Sequence, residues 1–335
     1  MATCRICNNT NNNQAYTARE MLLGYRNKFE YFECSQCGCL QIKEVPSDLR
    51  RYYPSDCFYY EPRASSAIVD STKGGVSGLK AHFIKEQITK YYLNKRGFLG
   101  GWLEKRSCLA RDYPHWMKMG RVNLGLGLKS SVLDVGCGTG PHLLDLRASG
   151  LSNLTGLDPF IEEDIVYPNG VKILKGDLES LNQQFDFIMM HHAFEHVPDP
   201  LLTLKKLYDL LKPSRYILIR IPVAASYGWK KYGVDWVLLD APRHLFLHTT
   251  KSMKILAAQS GLEVANVVYD SDGCTFWASE QYIRDIPLTD SKSYFTHPSD
   301  SIFSKEQIEL FDARAAELNE KGEGDSAGFY LYRRK

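Results

Sequence analysis

The stretch Ser131-Val132-Leu133-Asp134-Val135-Gly136-Cys137-Gly138-Thr139-Gly140, followed by Pro141, decides how the rest of this chain is read. Val132, Leu133 and Val135 form a short apolar run bounded by glycines, the pattern of a buried parallel strand that ends in a tight turn. Gly136, Gly138 and Gly140 carry no Cβ to hold the backbone away from a ligand or to forbid its dihedrals. Pro141 suits the first position of a helix. The unit predicts strand, glycine turn and helix, the first half of a nucleotide-binding βαβ element.

The turn does not fit a nicotinamide dinucleotide. That fingerprint needs a small residue where helix and strand pack closely, and Pro141 stands there. Asp134, at the carboxyl end of the strand, would repel a pyrophosphate and attract a cation, which favours S-adenosylmethionine with its positive ammonium and sulfonium. V-L-D-V-G-C-G-T-G resembles the first motif of the class I S-adenosylmethionine-dependent methyltransferases. The resemblance implies a Rossmann-like, seven-stranded α/β core, with Asp134, Gly136, Gly138 and Gly140 at the cofactor.

Composition sets the limits around this core. A chain of 335 residues with 44% hydrophobic content holds one α/β domain and appendages. The balance of 41 basic and 39 acidic residues offers no electrostatic footprint for nucleic acid. No run approaches the roughly 18 apolar residues of a membrane span, and no signal-peptide pattern opens the chain. The expectation is a soluble, cytoplasmic protein without nucleic-acid or membrane partners, whose nine cysteines are metal ligands and free thiols.

Cys4-x-x-Cys7 and Cys34-x-x-Cys37 are two knuckles 26 residues apart, the spacing of a tetrahedral Cys₄ zinc site, with Cys39 as an alternative in the second pair. Four thiolates leave no open position, so zinc here is structural. It stabilises about 60 residues too few to build a core of their own, a segment that also carries the aromatic run Cys57-Phe58-Tyr59-Tyr60. Residues 61–80 have linker composition, and 81–130 predict helices that pack over the sheet or act as a lid.

Beyond Pro141, strands are expected at Leu154–Leu157, Val171–Leu174, Phe185–Met190, Tyr216–Ile221 and Leu262–Tyr269, with helices at Leu201–Leu211 and Thr250–Ser260. Asp158 lies 18 residues past Gly140, about where the acidic residue of such a unit reaches the ribose. Asp177 is placed by the resemblance beside the adenine. Cys274–Ala278 predicts the final, antiparallel strand, and 286–335 a helical tail.

His191-His192-Ala193-Phe194-Glu195-His196-Val197 resembles the H-x-x-E-H-V stretch after the fourth strand of class I methyltransferases acting on small molecules. The resemblance puts His191 at the cofactor and His192, Glu195 and His196 beside the methyl group. The same spacing matches an inverted zincin, but Pro198 and Pro200 break the helix that such a site needs. An insertion, 225–248, predicts the acceptor pocket, with Tyr227, Trp229, Tyr232 and Trp236 as walls and Arg243 or His244 as polar anchors. A cysteine knuckle ahead of this core, with H-x-x-E-H-V and Pro242-Arg243-His244-Leu245, resembles the sugar C-methyltransferases and their polysaccharide-cluster relatives. The expected acceptor is therefore a sugar or nucleotide-sugar, with His192, His196 or His244 as general base. Rival readings are a zinc-ribbon RNA methyltransferase, an NAD-dependent oxidoreductase, and a protein that binds the cofactor without catalysis.

Overall fold

The computed structural model of the chain describes residues 2–53, 76–95, 97–107, 113, 115–120 and 122–335. The run from Cys57 to Tyr60 and residues 61–75 of the expected 61–80 linker lie outside the described residues, and 76–80 are the start of a helix. In chain order the strands are β1 Gln14–Arg19, β2 Lys28–Glu33, β3 Leu40–Ile42, β4 Ser131–Val135, β5 Asn153–Asp158, β6 Ile165–Val166, β7 Lys172–Lys175, β8 Phe185–His191, β9 Leu211–Pro222, β10 Phe246–Leu247, β11 Leu262–Tyr269 and β12 Ser326–Arg333. The helices are α1 Val76–Asn94, α2 Phe98–Arg106, α3 His115–Met119, α4 Pro141–Ala148, α5 Pro200–Leu210, α6 Tyr227–Tyr232, α7 Thr250–Gln259, α8 Cys274–Ile283 and α9 Lys305–Lys321.

The large sheet has the order β11-β12-β9-β8-β4-β5-β7-β6. Pairs from β9 through β7 are parallel, whereas β12 runs antiparallel to both β9 and β11. Seven of its strands span four residues or more, and β6 is a two-residue edge. This is the Rossmann-like α/β fold expected from the glycine turn. The chain leaves β4 for β5 and β7 on one side, then returns to lay β8 on the other. The carboxyl ends of β4 and β8 therefore flank the switch point, where open α/β sheets bind ligands.

Side-chain alternation divides the core by sheet face. Val132, Phe187 and Met189 pack with Leu143, Leu144 and Leu146 of α4 and with Ile88, Tyr92 and Leu93 of α1. Leu133, Val135, Ile188 and Met190 pack on the opposite face with Leu204 and Leu207 of α5 and Leu256 of α7. The second cluster continues without a break into Tyr31, Phe32 and Leu40 of the N-terminal sheet, and into Trp229, Trp236 and Phe246 of the 225–248 insertion. The small sheet, ordered β1-β2-β3-β10, takes its last strand from that insertion.

Two expectations are corrected. Cys274–Ala278 opens helix α8 and is not a strand. The antiparallel strand comes from Ser326–Arg333, within the stretch expected to be a helical tail, and it lies inside the sheet rather than at its edge. Phe329 and Leu331 are fully buried there, so the apolar run outweighs the basic residues that follow. No helix among the described residues is long and apolar enough to cross a membrane.

Candidate active site

The turn after β4 is built as a cradle. Gly136, Gly138 and Gly140 have φ of +72°, +54° and +79°. A Cβ on Gly136 would stand 2.5 Å from Ala193 Cβ, and one on Gly140 would stand 2.5 Å from Ile173 Cδ1. Asp158, at the end of β5, accepts hydrogen bonds from the N–H groups of Gly138 and Phe160, both at 2.8 Å. Asp134 is buried with neither carboxylate oxygen partnered. Burial first, and then the neighbouring Asp158 charge, push its pKa well up. A cationic ligand would relieve that, so the cradle and the orphaned carboxylate fit an ammonium-bearing nucleoside.

His191 closes the same end of β8. Its ring lies 4.2 Å from His142 and 5.7 Å from Trp116 between centroids, and neither ring nitrogen has a hydrogen-bond partner. Burial drives its pKa well below the usual imidazole range. Trp116, on α3, and Ile88, Tyr92 and Leu93 of α1 pack in the core on this face of the sheet. Asp177 is exposed just past β7, next to Gly176, whose N–H donates to the Asp158 carbonyl at 3.2 Å; its carboxylate accepts the Glu179 N–H as the cap of a short 3₁₀ turn.

The turn after β8 gathers the remaining predicted residues. One donor atom each from Glu195, His196 and His244 lie within 4.8 Å of one another. His192 Nδ1 is 3.5 Å from Glu195 Oε1, and its Nε2 accepts from Arg220 Nη1 at 2.7 Å. Arg220, on β9, is itself held by Asp270. His192 sits at φ +50°, a conformation uncommon for a residue with a Cβ, and its N–H donates to the Arg220 carbonyl at 2.8 Å. Burial favours the neutral acid at Glu195, yet His192, His196 and His244 outweigh it and hold the pKa at about 2. Burial brings His244 down to about 4, against the pull of Asp240.

Arg243 is not a free anchor. Fully buried, it donates to Asp240 Oδ1 at 2.6 Å, Glu20 Oε1 at 3.1 Å and the Tyr52 carbonyl at 3.1 Å. It ties the insertion to the N-terminal domain, and its own carbonyl accepts from His196 Nδ1 at 2.9 Å. The insertion's Trp229, Tyr232 and Trp236 are likewise buried as packing. Sequence reasoning missed Arg220, Glu20 and Tyr53, whose hydroxyl lies 3.0 Å from His196 Nδ1. Their partners are far away in sequence, and no local pattern marks them.

Cys4, Cys7, Cys34 and Cys37 present their sulfurs within 4.8 Å of one another. Cys4–Cys37 and Cys7–Cys34 are 3.6 and 3.5 Å apart. A tetrahedron with Zn–S bonds of about 2.3 Å has edges of roughly 3.8 Å, so the set fits such an ion. The adjoining Cys37 thiol is the main reason the Cys4 thiol is lowered, the direction that a thiolate ligand needs. Cys39 is outside the cluster, buried 3.8 Å from His248 Nδ1.

A family model described as a methyltransferase domain matches residues 86–267, more than half of the chain. The chain therefore belongs to the methyltransferase domain family. It is 24% identical over 182 residues to a tRNA U34 carboxymethyltransferase of Alteromonas mediterranea, covering 46% of this chain and 53% of that one. It is 29% identical over 160 residues to a ubiquinone biosynthesis O-methyltransferase of Nitrosospira multiformis, covering 41% and 64%. Less than two thirds of either relative is spanned. Among solved structures, the cyclopropane synthase MmaA2 of Mycobacterium tuberculosis aligns with a TM-score of 0.42 and 18% identity, over 68% of this chain and 85% of that one.

Proposed function

We propose that this protein is an S-adenosylmethionine-dependent methyltransferase whose acceptor is a sugar or nucleotide-sugar, with a structural zinc on Cys4, Cys7, Cys34 and Cys37. The observation that carries the reading is the meeting, at one switch point, of the glycine cradle with Asp134 and Asp158 and of the Glu195–His196–His244 cluster. S-adenosylmethionine, when bound, supplies a methyl group on a sulfonium leaving group. Asp158 and the Cβ-free backbone of the glycine turn cradle its nucleoside, and Asp134 answers its positive charge. The chain's other task is to orient the acceptor and accept its proton. His192 is poorly suited to that, because Arg220 occupies its Nε2 lone pair. His196 and His244 each donate Nδ1–H to a main-chain carbonyl, so each keeps its Nε2 lone pair for the proton.

Calorimetric titration with S-adenosylmethionine, S-adenosylhomocysteine and NAD tests the cofactor. The first two should bind and NAD should not, and Asp158→Ala should weaken binding by more than tenfold. Unchanged affinity in that variant, or NAD binding alone, sinks the assignment. Methyl transfer to a panel of nucleotide-sugars then tests the acceptor, and turnover of tRNA alone would replace the sugar reading with an RNA one.

A further inference from the structure

Glu195 is fully buried, and neither carboxylate oxygen makes a regular hydrogen bond; the nearest donor is His192 Nδ1–H, 3.5 Å from Oε1. An ionised carboxylate out of water needs a compensating cation or donors. The groups around it are arranged to hold one. His244 donates Nδ1–H to the Leu238 carbonyl at 2.7 Å, which fixes its tautomer and leaves the Nε2 lone pair 3.9 Å from Glu195 Oε1 and 3.7 Å from Asp240 Oδ2. His196 Nδ1 lies 2.9 Å from the Arg243 carbonyl, which can only accept, and 3.0 Å from the Tyr53 hydroxyl, so Nδ1 carries the proton and Nε2 the lone pair. His192 Nδ1 stands 3.5 Å from the same Glu195 oxygen, itself fixed by Arg220 on Nε2.

Imidazoles anchored through one N–H to a carbonyl, with the other nitrogen bare, are how proteins present metal ligands, and the ligating carboxylate is usually backed by a further donor. Two nitrogens and one carboxylate oxygen, all within 4.8 Å, suit a borderline divalent ion and leave coordination positions open.

We propose that Glu195, His196 and His244 bind a divalent first-row cation such as zinc or manganese, at a second metal site separate from the four cysteines. The binding claim stands on this cluster alone; the role of the ion keeps the acceptor reading above and replaces its histidine base. In the loaded protein His196 and His244 are ligands and not bases. An acceptor oxygen on the ion would then be acidified by it and release its proton to solvent. Two groups hold the site in place, Arg243 through its carbonyl and Arg220 through His192.

The test uses the full chain, treated with a mild chelator that leaves thiolate-bound metal in place. Mn²⁺ is titrated and followed by the electron paramagnetic resonance of the free ion, and Co²⁺ by its absorption. The expected result is one saturable Mn²⁺ per chain, and Co²⁺ bands of a nitrogen- and oxygen-ligated ion without added thiolate charge transfer. Glu195→Gln and His244→Asn should each weaken Mn²⁺ binding on the order of tenfold or more. No saturable Mn²⁺ binding by the unsubstituted protein overturns the proposal, as does unchanged affinity in both variants or Co²⁺ spectra showing thiolate ligation alone. If a variant fails to fold, the unsubstituted protein decides the matter. Calorimetry with S-adenosylhomocysteine on the same samples separates the readings: metal bound without the nucleoside would refute the methyltransferase assignment and leave the metal site standing.

Discussion

Replacing Arg243 by methionine should cost about 3 to 5 kcal/mol of stability. Methionine occupies similar volume in the fully buried site, so the loss is mainly electrostatic. The guanidinium serves two carboxylates, Asp240 through Nε at 2.9 Å and Nη2 at 2.6 Å, and Glu20 at 3.1 Å. Glu20 keeps the N–H groups of Leu23 and Tyr25, both at 2.8 Å, so the larger share of the loss falls on Asp240. Burial opposes ionisation of Asp240, and Arg243 is the main reason its pKa is nonetheless lowered. A carboxyl depressed in the folded state stabilises above its unfolded pKa and loses that contribution as pH falls through its folded value. The gap between the two proteins should therefore be full at pH 7 and narrow below about pH 4. Urea unfolding followed by tryptophan fluorescence measures it. Arg243→Lys should recover only part, because an ammonium cannot reproduce the planar fork. Adding Asp240→Asn to Arg243→Met should return some of the loss. A loss below about 1 kcal/mol for Arg243→Met, or a lysine variant equal to the original, would refute the reasoning.

Elemental analysis should find zinc at the four cysteines and show it gone in Cys4→Ser, with a large fall in stability; a metal-free protein of unchanged stability contradicts the structural zinc. Gly136→Ala should cost on the order of 1 to 3 kcal/mol and weaken S-adenosylmethionine binding, since its Cβ would meet Ala193 at 2.5 Å and its φ is +72°. Burial lowers His248 to about 3, well under its unfolded value. As pH falls below about 6.5 the unfolded chain takes a proton that the folded one refuses, so stability should drop by about 1.4 kcal/mol per pH unit for this group. His248→Gln should flatten the slope between pH 6 and 4, and an unchanged slope would remove His248 as its source.

The glycine turn, β5 with Asp158 and the H-x-x-E-H turn were legible because each is local: an apolar run, a break and a polar residue at its end. Even there the sequence could not say which histidine keeps a lone pair, because that depends on Arg220, a residue of the neighbouring strand. Cys274–Ala278 misled because a short apolar run has no period, and Gly273 starts a helix as readily as it ends a turn. The run from Phe329 to Tyr332 was passed over for the opposite reason: Arg333, Arg334 and Lys335 beside it read as a solvated end. The Arg243–Glu20–Asp240 cluster had no signal at all, since Glu20 and Arg243 are 223 positions apart.

The pairing of Leu40 with Leu247 has a kinetic side. A contact that closes so long a loop forms late and slowly, whereas the β1–β2 hairpin and the four cysteines are near neighbours in the chain. On that ordering β3 would present an open edge, paired to β2 alone, until the insertion arrives. A fragment ending near residue 60 would keep that edge permanently and invite edge-to-edge aggregation, with or without its metal. Joining the first sixty residues to another enzyme should fail unless the strand Phe246–Leu247, or a substitute for it, travels with them.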